Sequence, residues 1–312
     1  MPIILKFILF QLLIIVPFIA GTLARRYFID PAAAAKKIIR FNLIALEPPV
    51  ILWTIWGLRI SPDLAFLPAA GLLIVLSGFA AGSLMAPLLR LRGAARKTFL
   101  ISSSLANHGF TMGGFFCYIL LGETGLGLSS IFLVYFVPYT FLIIFSYARA
   151  GAGRPFHAHI RDFLAGSRNM PLYASLAALA LLASGIPRPA LRPPVEPLIM
   201  ASVALYYWTL GLTTAVKEIT PLRREHLALG AIKFILIPAL TWLLLTALPL
   251  GSGMKSVIRI QSFMPAAIYS VVTSVLFDLD SPLASSLFVV NTMIFIFIVV
   301  PAMALLHQAG LW

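Results

Sequence analysis

Ten apolar runs divide the sequence, each close to the ~20 residues that a helix needs to cross a hydrocarbon core of about 30 Å. The first five are Ile3–Leu23, Ile38–Gly57, Leu64–Leu89, Thr98–Leu121 and Leu126–Tyr147. The second five are Pro171–Ile186, Val195–Val216, Leu227–Leu250, Ser256–Phe277 and Ser281–Leu306. Charged residues or Pro/Gly-rich stretches separate them, as turns between spans require. The expected class is an all-α polytopic membrane protein with ten transmembrane helices.

Composition supports that class. Of the 312 residues 61% are hydrophobic and 11% charged, so a water-facing surface of mixed charge cannot be assembled. The single cysteine, Cys117, excludes an intrachain disulfide and a thiolate metal site. Lys6 followed by Phe7 to Ala20 imitates a signal peptide, yet Arg25 and Arg26 lie on the wrong flank for cleavage, so the stretch reads as the first span.

Lys and Arg number 23 against 10 Asp and Glu, a net charge of +13. In a water-soluble chain this would point to nucleic acid; between membrane spans it is a topological signal. Sixteen of the 23 cations fall in the odd-numbered loops, among them Arg25, Arg26, Lys36, Lys37 and Arg40 in the first and Arg90, Arg92, Arg96 and Lys97 in the third. The odd loops are therefore expected in the cytoplasm, with both termini outside. Membrane lipids, not nucleic acid, are the partner that this charge implies.

The longest polar connection, 149–169, lies near the midpoint and reads as a cytoplasmic linker between an N-terminal half, 1–148, and a C-terminal half, 170–312. Each half holds five spans. An odd number makes the second half enter the membrane in the opposite sense, the inverted-repeat construction of many transporters. A shared register supports it: Lys97-Thr98 precedes Asn107 by ten residues, and Lys255-Ser256 precedes Pro265 by the same interval.

Span four carries Ser102-Ser103-Ser104-Leu105-Ala106-Asn107-His108-Gly109-Phe110-Thr111-Met112-Gly113-Gly114, too polar and glycine-dense for a helix facing lipid. Span nine breaks at Met264-Pro265, where proline lacks an N–H and clashes with the carbonyl of Gln261. Two broken helices at corresponding positions point to a binding site at the membrane midplane. Freed N–H groups at half-helix starts favour an anion. The plainer alternative is that Gly109, Gly113 and Gly114 permit close helix packing and that Pro265 is a simple kink.

The passage around Asn107 with Gly109, followed by Leu121-Gly122, resembles the fourth span of the auxin efflux carrier family of permeases, relatives of the bile acid and sodium symporters. Met264-Pro265-Ala266 is similar to that family's ninth-span break and Lys233 to Pro238 to its eighth span; Leu210-Gly211 and Asn291-Thr292 through Pro301 match its seventh and tenth. The resemblance implies two inverted five-helix repeats, unwound crossing helices four and nine, an elevator-type movement and a homodimer. It places substrate contacts on Asn107, Gly109 and Pro265. Where the family has Asn-x-Gly-x-x-Gly-x-Pro, this chain has Met112 and Gly114 at the last glycine and proline, so the first crossover lacks its usual breaker.

The expected substrate-binding set is Asn107, Gly109, Gly113, Gly114, Met264, Pro265 and Asn291. Glu47, an acid inside span two beside Pro48-Pro49, is a candidate for carrying a coupling proton, or else pairs without titrating; sodium coupling or none stays open. Lys233 in span eight reads as a snorkelling side chain, with an anion anchor as the alternative. Arg259 suits lipid phosphate or an incoming anion. His108 reads as a hydrogen-bonded neutral histidine with a pH sensor as the alternative, and Gln261 as a link between helices or a pocket residue. His157 and His159 lack further ligands for a metal, no cofactor is implied, and no catalytic motif is present.

The expected function is a secondary transporter of a small organic anion, of carboxylate type, in the inner membrane of a prokaryote. Two rivals from other classes are a membrane-embedded enzyme acting on a lipid-like substrate and a non-transporting sensor on a carrier scaffold. The first would need clustered acids, and Glu47, Glu123 and Glu196 are scattered over different spans.

Overall fold

The computed structural model describes residues 3–150, 169–190, 192–213 and 222–308. The His157-His159 pair, nearly all of the expected linker and the C-terminal Trp312 lie outside them. Among the described residues every regular element is helical. Large apolar side chains such as Leu84, Leu88 and Leu243 are at least 70% exposed, which suits a lipid solvent and would be an aggregation liability in water.

By length and apolarity seven helical stretches qualify as membrane spans, fewer than the ten apolar runs of the sequence. The difference has identifiable causes. One stretch, Phe110–Arg149, runs for 40 residues, about twice the ~20 that one crossing needs, because it joins two helices across the non-helical Gly122. Met170–Ala183 is apolar but shorter than the rest, and two other runs are split into half-helices.

The described residues gather into two compact units. One takes those within Met1–Leu64, Gly109–Val134 and Gly153–Ala215; the other takes those within Ala65–His108, Tyr135–Ala152 and Val216–Trp312. Each unit draws on both halves of the chain.

The first unit contains α1 (Ile3–Ala24), α2 (Pro31–Phe41), α3 (Glu47–Trp56) and, further along the chain, α6 (Phe115–Phe132). α2 begins before the apolar run because Asp30 caps it, accepting from the Ala33 amide at 2.9 Å, and Pro31 opens its first turn. Lys36, Lys37 and Arg40, counted above with the first loop, therefore stand on a helix. A π-turn over Asn42–Leu46 joins α2 to α3, so that Pro48 and Pro49 fall in a first turn, where a missing N–H costs little. In α6, Gly122 takes φ +67 and kinks the helix, a conformation that favours glycine.

The second unit contains α4 (Phe66–Leu88), α5 (Gly93–Ser104), α7 (Phe136–Tyr139) and α8 (Ser146–Arg149). In the first unit again, α9 (Met170–Ala183) and α10 (Val195–Thr213) complete the set. There α1 and α10 approach backbone to backbone: a Cβ on Gly21 would collide with the Trp208 carbonyl, and one on Gly211 with the Phe18 carbonyl. Such reciprocal small-residue contacts hold helices together where lipid supplies no hydrophobic drive.

The second unit ends with α11 (Arg224–Ala231) and α12 (Ile237–Ala247), joined by a π-turn at Ile232–Leu236. They are followed by α13 (Ser252–Ser262), α14 (Ile268–Leu276), α15 (Ser281–Ile294) and α16 (Val300–Gln308).

Candidate functional site

Both breaks expected from the sequence are present, and within the second unit they meet. α5 stops at Ser104 because Leu105 turns extended (φ −70, ψ 129), its own N–H still bonded to Ile101 at 2.9 Å. α13 stops at Ser262; the amides of Phe263 and Met264 fold back on the carbonyls of Ile260 and Gln261, and Pro265 has no N–H to extend the ladder. The two extended segments then pair as an antiparallel bridge between Ala106 and Ala266. Asn107 N–H donates to the Pro265 carbonyl at 2.8 Å, and Ala267 N–H donates to the Leu105 carbonyl at 3.1 Å.

This bridge explains how the first break forms without a proline. An unwound backbone buried in protein must find partners for its freed groups. Lys233 Nζ donates to the carbonyls of Ser104 (3.2 Å) and Leu105 (3.0 Å). The Gln261 amide donates to the His108 carbonyl at 3.2 Å, and the His108 N–H to the Ala106 carbonyl at 2.8 Å. Ala266 N–H donates to Asn291 Oδ1 at 2.8 Å. That bond fixes the orientation of the Asn291 amide, since only its oxygen can accept. Asn291 Nδ2 is consequently a buried donor with no partner among the described residues, on a side chain 2% exposed.

Aromatic hydroxyls brace the α5 side. Ser104 Oγ pairs with the Tyr139 hydroxyl at 2.6 Å and donates to the Val75 carbonyl at 2.9 Å, while His108 Nδ1 pairs with the Tyr135 hydroxyl. A Cβ on Gly78 would strike the Ser103 carbonyl, so α4 and α5 pack at backbone contact. The described acids of this unit are Glu225, Asp278 and Asp280, none of them buried. The charge inside the crossing is Lys233, 3% exposed.

The expected site residues divide accordingly. Asn107, Met264, Pro265 and Asn291 come together at the bridge; Asn107 is half-buried and Met264 fully buried. Gly109, Gly113 and Gly114 belong to the first unit, where the amides of Met112 and Gly114 bond to the Gly109 carbonyl and open a π-turn over Phe110–Gly114. A Cβ built on Gly109 would meet no atom within 4 Å, so close packing does not demand a glycine there. Glu47 also lies in the first unit, 4% exposed and hydrogen-bonded to Tyr206. Asn42 nearby donates to the Ser202 carbonyl at 3.0 Å.

Lys233 departs from expectation: it does not snorkel. Its depth in an apolar span is the one local signal of a buried role, but its partners lie 128 and 129 residues away in sequence. Arg259 stacks over the Trp242 ring at 5.5 Å, and Gln261 links the two breaks.

The profile of a family described as membrane transport protein matches residues 7–301, nearly the whole chain. The chain belongs to this family. It is the family to which the auxin efflux carrier resemblance pointed, and a membrane transport protein of this kind is a multi-pass membrane protein of a transporter family. No curated protein sequence matches the chain.

Proposed function

We propose that this membrane transport protein is a secondary transporter of a small organic anion of carboxylate type. The observation that carries the reading is the crossing itself: two broken helices bridged at Ala106 and Ala266, with a buried lysine and no buried carboxylate in the described part of that unit. The N-cap of α14 is Ala267, which offers no side-chain cap. The first-turn amides of α14, of which that of Ser270 is bonded to the Ala267 carbonyl, carry the partial positive charge of a helix start, which favours an anion. Asn107, half-buried beside them, supplies an amide that can donate and accept, and Asn291 Nδ2 supplies a further buried donor.

In this reading the chain crosses the membrane ten times as two inverted repeats, 1–148 and 170–312, joined by the cytoplasmic linker 149–169, with both termini outside. The seven long stretches support it once the 40-residue one is divided at the Gly122 kink, which separates the second half of span four from span five, and the broken span nine and Met170–Ala183 are each given a crossing. Spans one, two, six and seven fall in the first unit, and spans three, eight, nine and ten in the second, as repeats of equivalent role would. Elevator-type exchange needs two bodies with cores of their own, which this division supplies. Glu47 is the proposed proton site, the inner membrane of a prokaryote the proposed location and a homodimer the proposed assembly.

The test is uptake of labelled small carboxylates into proteoliposomes, with pH and sodium gradients imposed separately and Asn107→Ala protein in parallel. Gradient-driven uptake lost in the variant supports the carrier and its site. Uptake unchanged by Asn107→Ala removes the crossing as the binding site, and no uptake of any acid by folded protein removes the substrate class.

A further inference from the structure

Lys233 is held by the break, not by an acid. Its hydrogen-bond partners are the carbonyl of Ser104, the last residue of α5, at 3.2 Å and that of Leu105, the first extended residue, at 3.0 Å, the latter shared with the Ala267 amide. Carbonyls at a helix C-terminus lack intrahelical donors and carry partial negative charge. The one ion pair found among the described residues joins Arg188 and Glu123 in the other unit. Lys97 offers an internal contrast: its Nζ donates to the carbonyls of Ala148 (3.0 Å) and Ala150 (2.6 Å) at the exposed end of α8. There water shares the solvation and the lysine is an ordinary helix cap. Lys233 makes the same pair of bonds with the side chain sealed from solvent.

Unwound carbonyls and half-helix C-terminal ends are the ligands with which transporters coordinate a coupling sodium ion, and hard cations take oxygen ligands generally. At this crossing those oxygens are engaged by an ammonium that the chain itself provides. We propose that Lys233 is a tethered substitute for a coupling sodium ion, so that the crossing is assembled in every state of the transport cycle without sodium. The role rests on the carrier reading only in what it means for coupling; the occupancy itself can be tested without any substrate.

The experiment compares thermal unfolding of detergent-solubilised full-length protein in sodium chloride and in choline chloride at matched ionic strength, for wild type, Lys233→Ala, Lys233→Ser and Lys233→Met. Wild type is expected to unfold at the same temperature in both salts. All three variants lose stability in choline; Lys233→Ala and Lys233→Ser, which vacate the space, regain about 2–4 °C in sodium, whereas Lys233→Met, whose methyl group fills it, does not. A lysine that merely capped the helix would give variants equally weak in both salts, and that result overturns the proposal. So does sodium-specific stabilisation of wild type, or failure to obtain folded Lys233→Ala and Lys233→Ser even in sodium. Because the readout is cation binding, its failure is distinguishable from a failure of anion uptake.

Discussion

The Ala266 amide donates to Asn291 Oδ1 at 2.8 Å, fastening the break between α13 and α14 to α15. Asn291→Leu leaves that N–H buried without an acceptor, and the expected loss is about 1–3 kcal/mol of stability, read as a lowered unfolding temperature. Asn291→Asp keeps the acceptor but adds a negative charge beside the proposed anion site, so uptake falls more than stability does. A leucine variant as stable as wild type would deny the bond this role.

The Gly211 approach to Phe18 makes a second prediction. Gly211→Val places a branched side chain where α1 and α10 already touch through backbone. Overpacking of this kind costs about 1–3 kcal/mol. Fluorescence-detected size-exclusion chromatography after graded heating should show the variant aggregating at lower temperature, and Gly230→Ala, at a position with a single neighbour at 3.9 Å, serves as the benign control.

For Glu47, the informative change is Glu47→Gln, which keeps a partner for Tyr206 and removes the exchangeable carboxyl. Accumulation driven by a pH gradient should disappear while exchange of labelled for unlabelled substrate persists. Retained pH-driven accumulation would assign the proton, if one moves, to another group.

Arg188 separates stacking from ion pairing in the first unit. Its contact with Glu123 is 3.8 Å long with both side chains substantially exposed, so Glu123→Gln should change stability by no more than about 0.5 kcal/mol. The guanidinium also lies 4.7 Å from the Trp53 ring centroid. Arg188→Ala should therefore cost more, about 0.5–1 kcal/mol, and equal effects of the two substitutions would contradict that ranking.

Much of the architecture is legible in the sequence because lipid imposes a length on each apolar run, and the second break because Pro265 announces itself. The first is harder: nothing local ends α5 at Ser104 except the acceptors and donors brought by Lys233, Pro265 and Ala267. Depth alone turns Lys233 outward, since its true partners are carbonyls on another helix. The start of α2 escapes a search for apolar runs because Pro31 to Lys37 has no apolar stripe long enough to count as a span, although Asp30 and Pro31 form an ordinary helix start. Which glycines join the crossing is a matter of tertiary packing, and no spacing rule could place Gly109 in a different unit from His108.

The long sequence separation behind the first break bears on biogenesis. When Leu105 leaves the ribosome, the lysine that will hold its carbonyl is still 128 residues from being translated, and Pro265 is further off. Until then the carbonyl of Leu105 and the amide of Asn107 have no partners in the nascent chain, so the break after Ser104 cannot be completed before the second half is made. The N-terminal half is thus an unfinished object on its own, and the bridge that completes it can form only once the second half has been made.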